Sequence, residues 1–85
     1  MKAVEKPGIP AKEAVQIATR YLSNMRNLPA VYISLEELEL ADDRKTWLVT
    51  LGHPRGYEGP VEEYKLIKVD AGTGDVISMK MRSLE

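Results

Sequence analysis

The chain has 85 residues, no cysteine, and a net charge of −1 from 12 basic and 13 acidic side chains. This excludes a disulfide framework and a thiolate zinc site, and the balanced charge argues against nucleic acid as the main partner. Apolar residues make up 44%, enough for one core and too many for a disordered chain, and no run of about 18 apolar residues exists to insert into a membrane.

Met1 to Gly8 is polar, with Pro7-Gly8 as a breaker, and reads as a flexible lead-in. It has no apolar stretch of the kind a secretory signal carries. A single domain is expected over residues 9–82, with 83–85 as a tail whose Leu84-Glu85 matches a cloning junction. Pro10 opens a helix in its first turn, where a missing N–H costs nothing. Ala11, Ala14, Val15, Ala18, Tyr21, Leu22 and Met25 recur at helical spacing and Ile17 broadens the stripe, so one apolar face packs on a sheet. Its alanines allow close approach. Asn24 to Asn27 ends the helix, and Pro29 forbids its continuation.

Val31 to Leu35 reads as a first strand by alternation and β-branching. Leu38 and Leu40 fall out of phase with Val31, Ile33 and Leu35, so a bulge or break belongs at Glu36-Glu37. Ala41 to Lys45 is a charged turn. Thr46 to Leu51 is a second strand with Trp47, Val49 and Leu51 on one face. Trp47 reads first as a core anchor under the helix and second as an exposed binding aromatic. Gly52 to Pro60 holds three glycines and two prolines and reads as a loop. It carries His53, Arg55 and Tyr57. Catalysis by His53 needs a nucleophile or a second ligand, and the neighbouring sequence supplies neither. A recognition loop is the stronger functional reading, beside plain solvated connection.

Tyr64 to Met81 is a β-hairpin. Lys65, Ile67 and Val69 alternate with Tyr64, Leu66 and Lys68, and Ile77, Met79 and Met81 alternate with Val76, Ser78 and Lys80. Pairing Val69 with Ile77 puts Ile67, Val69, Ile77 and Met79 on one face; the competing register pairs Val69 with Val76 and groups Leu66 with Met79. In the loop, Asp70 is placed to accept from the amides of Gly72 and Thr73, and Gly74 to take the positive φ of a bulge. Asp70, Thr73 and Asp75 resemble part of a calcium loop, but the flanks are strands and the remaining ligands are missing. Turn chemistry explains them, and neither a metal nor another cofactor is expected.

Helix, antiparallel strands and a last hairpin reading Val69-Asp70-Ala71-x-Thr73-Gly74-Asp75-Val76-Ile77 together resemble the PepSY domain, a family named for the propeptides of thermolysin-like zinc peptidases and for a spore-germination protein. The resemblance spans about Ile9 to Met81. Ile9, Ala14, Ala18, Tyr21 and Leu22 look like the family's first element, and Trp47-x-Val49 like its central strand. Pro10 stands where the family has Ser or Thr, the loop from Gly52 is long, and Lys65 holds a position that is often aromatic. The resemblance implies a non-enzymatic module of the cell envelope or secreted space that interacts with peptidases.

The expectation is therefore an α+β domain, one N-terminal helix on a three- or four-stranded antiparallel sheet ending in a β-hairpin. Its core is expected from Ala14, Val15, Ala18, Leu22, Ile33, Trp47, Val49, Ile67, Val69, Ile77 and Met79. Function is expected to be protein binding, with a peptidase as partner, through a sheet edge and the loop residues Arg55 and Tyr57. The alternative is a sensory or scaffolding domain that binds a small ligand, or self-associates through an open sheet face carrying Tyr64, Leu66 and Tyr32. An enzyme has no support, since no catalytic set or phosphate loop is present.

Overall fold

The computed structural model describes residues 8–56 and 59–83. The expected lead-in up to Pro7, the Leu84-Glu85 junction and Tyr57 lie outside them. In chain order come a helix α1 (Ala11–Arg26), a 3₁₀ turn (Ala30–Tyr32) and strands β1 (Ser34–Leu40), β2 (Thr46–His53), β3 (Glu63–Asp70) and β4 (Val76–Arg82). The strands form one antiparallel sheet in the order β1-β2-β3-β4, and α1 covers one face. This is the α+β architecture expected, with four strands and a terminal hairpin. Among the described residues no helix is long and apolar enough to cross a membrane.

Helix α1 follows from its stripe. Ala14, Ala18 and Leu22 are fully buried, with Val15 and Ile17 packed at the margins. The two alanines let the helix backbone approach β2 and β3. Pro10 is the cap residue, in extended conformation with ψ 162°, one position before the first turn. Its carbonyl still accepts the Ala14 amide at 3.0 Å, and a proline ring lacks only a donor that no helix start can use. At the other end Asn27 is left-handed (φ 52°), and the Leu28 amide returns to the Ser23 carbonyl at 3.0 Å, a Schellman-type closure. Met25, expected inside, is 59% exposed. It sits in the last turn, beside an arginine whose guanidinium reaches the polar end of the sheet.

The first strand starts later than the alternation predicts. Val31 is 84% exposed and lies with Tyr32 in the 3₁₀ turn, closed by the Tyr32 amide to Pro29 and the Ile33 amide to Ala30. The ladder begins at Ser34 opposite Gly52 because β2 ends one residue later, at His53 before Pro54. Without a partner strand, β-propensity does not make a strand. The expected bulge is present at Glu36, between the Leu35–Leu51 and Glu37–Thr50 pairs.

Register fixes the faces. Trp47, Val49, Leu51 and His53 of β2 stand opposite Val69, Ile67, Lys65 and Glu63 of β3, and this is the face under α1. Val49, Leu51, Ile67 and Val69 are fully buried with Leu22; burial of each such side chain is worth about 1.5–3 kcal/mol. The outer face presents Leu48, Thr50, Tyr64, Leu66 and Lys68 from the central strands.

The hairpin combines the two registers weighed from the sequence. Ile67 pairs with Met79 and Lys68 with Ser78, but Val69 pairs with Val76, so Ile77 is bulged. Ile77 is therefore 55% exposed, not core, and Val76 replaces it. The turn forces this. Asp70 Oδ1 accepts the Gly72 and Thr73 amides at 2.7 and 2.9 Å, and the Gly74 amide closes on the Asp70 carbonyl at 2.8 Å. The Asp70 amide then reaches the Asp75 carbonyl at 2.8 Å, leaving one extra residue to accommodate. The Thr73 amide above all, and that of Gly72, hold the Asp70 carboxyl below its ordinary pKa.

Beneath that turn lies the entry to the helix. The Ile9 amide donates to the Ala71 carbonyl at 2.8 Å, and the Ile9 carbonyl accepts the Trp47 indole N–H at 2.8 Å. The Ala71 amide donates to Lys45 of the β1–β2 turn at 2.9 Å. Trp47 is thus a half-buried anchor rather than an exposed aromatic. Gly74 has φ +87°, and a Cβ there would lie 2.6 Å from Ile9 Cδ1. Gly74→Ala is expected to lower stability by about 1–3 kcal/mol through left-handed strain and displacement of Ile9, read as a reduced denaturation midpoint with an unchanged m-value.

Candidate functional site

The distinctive chemistry lies at the end of the sheet opposite Ile9. Period-2 geometry puts Lys65 on the same face as Ile67 and Val69, and Glu63 two residues earlier on that face too. Lys65 is only 4% exposed and His53 only 2%. A buried ammonium requires acceptors, and the neighbours provide them. Lys65 Nζ lies 3.1 Å from Glu63 Oε1 and 3.2 Å from His53 Nε2. His53 Nδ1 is 2.7 Å from the Pro54 carbonyl. A carbonyl can only accept, so Nδ1 carries the proton and Nε2 accepts from Lys65. No buried side-chain polar atom among the described residues lacks a partner.

Glu63 is the hub. Its Oε1 also lies 3.7 Å from His53 Nε2 and 3.8 Å from Arg26 at the end of α1, while Oε2 accepts from Arg55 Nε at 3.3 Å. Arg26 placed there also complements the negative end of the helix dipole. The Lys65 hydrogen bond holds the Glu63 carboxyl below its ordinary pKa, against the opposing effect of burial. The charge of Lys65, that of His53 when protonated, and the Arg55 hydrogen bond add to the lowering.

Outside this cluster an open cleft of about 600 Å³ is lined by Arg55, Glu62, Glu63, Tyr64, Met81, Arg82 and Ser83. It lies where β3 begins and β4 ends, so it adjoins the free edge of β4. Met81 is 69% and Arg55 70% exposed. Arg82 crosses the outer face of the sheet to Glu37 of β1 at 2.5 Å and to Thr50 Oγ1 at 2.5 Å. That crossing covers Thr50, which is 1% exposed on a face that no helix covers. Gly52 is buried at the same end; an added Cβ would lie 2.8 Å from Val61 Cγ1 and 3.2 Å from the Tyr64 ring.

Among the residues singled out from sequence, Arg55 and Tyr64 meet in this cleft. Leu66 is half-buried on the outer face, next to Tyr64 along β3. Tyr32 lies apart, in the 3₁₀ turn. Tyr57 is outside the described residues. His53 does not belong to a recognition loop: it ends β2 and is buried, so the irregular segment starts at Pro54. Sequence reasoning missed Lys65, Glu63, Met81 and Arg82. For the first two the signal was present, because a lysine in phase with two core residues must find an acceptor on its own face.

Comparison with known protein families, with characterised proteins and with solved structures finds no match to this chain.

Glu63→Gln removes the charge that offsets Lys65. Because Glu63 keeps 15% side-chain exposure and Lys65 retains His53, the expected loss is about 1–3 kcal/mol, below the range for a fully buried pair. The pH dependence has a definite sign. A lowered folded pKa stabilises the fold above the unfolded-chain value of about 4.3 and is lost as pH falls through the folded value. Denaturation of the two proteins between neutral and strongly acidic pH should show wild-type stability falling toward that of Glu63→Gln. A constant difference across the range would contradict the assignment.

Proposed function

We propose that the domain is a non-enzymatic protein-interaction module of the PepSY type that binds or restrains a peptidase. The free edge of β4, running into the Arg55–Met81 cleft, is the binding surface. The observation that carries this reading is the coincidence of an unpaired strand edge, two exposed apolar side chains and the exposed guanidinium of Arg55. An extended segment can add to β4 by main-chain hydrogen bonds. The bulge at Ile77 interrupts the ladder near the turn, so the usable edge runs from Ser78 to Arg82, toward the cleft. Met81 within this edge and Ile77 just before it offer apolar contact, and the exposed Arg55 favours an acidic group on the incoming segment.

The chemistry of the site supports binding over catalysis. The ring partners of His53 are a carbonyl and an ammonium, and neither is a hydroxyl or thiol that imidazole could activate. Lys65 is engaged by Glu63 and His53 and is itself buried. Family resemblance in the hairpin and helix supports the peptidase as partner and a place in the cell envelope or secreted space.

The test is an amide chemical-shift titration of the labelled domain with an inactivated thermolysin-like peptidase. Shifts or broadening confined to β4 and the segment from Pro54 to Glu63 are the expected result. Arg55→Ala and Met81→Asp should each weaken binding by about tenfold or more, as anchors at an interface centre do. No change at high excess of peptidase removes that partner class, and shifts confined to β1 would move the site to the other edge.

A further inference from the structure

No helix covers the outer face of the sheet, and its charges are sorted by strand. Glu36, Glu37 and Glu39 lie on β1, while Lys68, Lys80 and Arg82 lie on β3 and β4. Leu48, Leu66 and Tyr64 stand between them, all half-buried. Register places these groups in rows across the sheet: Glu39–Leu48–Lys68–Ser78, then Glu37–Thr50–Leu66–Lys80. One ion pair, Glu37 with Arg82, crosses the face at 2.5 Å. Glu39, Lys68 and Lys80 make no ion pair among the described residues. One face thus carries unneutralised charge of both signs, acidic along one side and basic along the other.

We infer that this face is a docking surface for a second copy of the chain, packed sheet against sheet about a two-fold axis parallel to the strands. The charge pattern selects that axis. Rotation about a line along the strands brings β1 of one copy over β4 of the other and keeps each row opposite itself. Glu37 and Glu39 of one copy then flank Lys80 of the other, twice by symmetry, and Leu48, Leu66 and Tyr64 of both copies line the middle of the contact, where each Lys68 lies over Leu48 of the other copy. Rotation about a line across the strands would bring β1 over β1, setting glutamates against glutamates, and β4 over β4. An isologous contact needs a self-complementary patch, and only the first rotation makes this patch so. Aligned packing is also the geometry that twisted sheets favour.

Four strands of this length present roughly 450 Å² in projection, below the about 800 Å² per partner of a standard stable interface. The dimer is accordingly weak and salt-sensitive. It shares Tyr64 with the cleft, but it is read from the mass of the domain alone, without peptidase, so it stands or falls separately from the peptidase reading.

A charge exchange between two variants tests it. Glu39→Lys and Lys80→Glu each leave the intramolecular ion pairs intact, and amide spectra of each verify the fold. In sedimentation equilibrium the wild type should rise from 9.5 kDa toward twice that mass with concentration, and less so at high salt. Each variant alone should self-associate about tenfold or more weakly. An equimolar mixture of the two should associate again, because a heterodimer about this axis is complementary at both ends. A wild type that stays monomeric into the millimolar range, or an association that salt does not weaken, overturns the proposal. So does a mixture no tighter than its components. If one variant fails to fold, the wild-type salt dependence and the other variant decide.

Discussion

The fold depends on a single residue's backbone. Ile9 gives its amide to Ala71 in the β3–β4 turn and its carbonyl to the indole of Trp47 on β2. Its side chain packs on Gly74, and Ala71 in turn bonds the β1–β2 turn at Lys45. Both hairpin turns and the start of α1 are therefore tied together within a few residues. A helix that starts two residues downstream of such a tie has little choice of position over the sheet. That placement lets Ala14 and Ala18 seat directly on β2 and β3, and it leaves the helix C-terminus over the other end of the sheet, where Arg26 meets Glu63. A small domain gains much from this, because its core is short of apolar area and loose helix placement would expose what little there is.

The two ends of the helix–sheet layer differ in kind. At the Ile9 end, neutral backbone groups and apolar side chains close the core. At the far end, Lys65 and His53 take the place that two more apolar residues would fill, with Glu63 as their acceptor. Replacing a buried charged pair by well-packed apolar side chains is often neutral or stabilising. The cluster is thus a poor investment for stability alone, and it holds Arg55 in the wall of an open cleft. Lys65 stands in phase with Ile67 and Val69 on the inner face, and the surrounding polar cluster follows from that one residue.

The helix, the antiparallel sheet and the hairpin chemistry were legible because each rests on local rules. The α1 stripe, the Glu36 bulge, the acceptor role of Asp70 and the positive φ of Gly74 all follow from periodicity or turn geometry. Where the reading missed, longer-range constraints decided. Val31 and Tyr32 have strand-like sequence, but β2 ends before it can pair with them. Ile77 alternates correctly, yet a turn closed by Asp70 and Asp75 leaves it as the extra residue. The site was half legible. Lys65 and Glu63 share a parity that reading the strand alone reveals. The third member, His53, looked like part of a glycine- and proline-rich loop, because nothing local marks where β2 ends. The reach of Arg82 across the sheet to Glu37 has no sequence signal, since it spans strands far apart in the chain.

Native-state hydrogen exchange at single-amide resolution tests the central claim most directly. If Ile9 is the tie on which the layer depends, its amide and that of Ala71 should exchange only through global unfolding, as slowly as the core amides of β2 and β3. An Ile9 amide that exchanges as fast as an unstructured segment, while α1 stays protected, would show that the helix holds its place without it and would contradict this account.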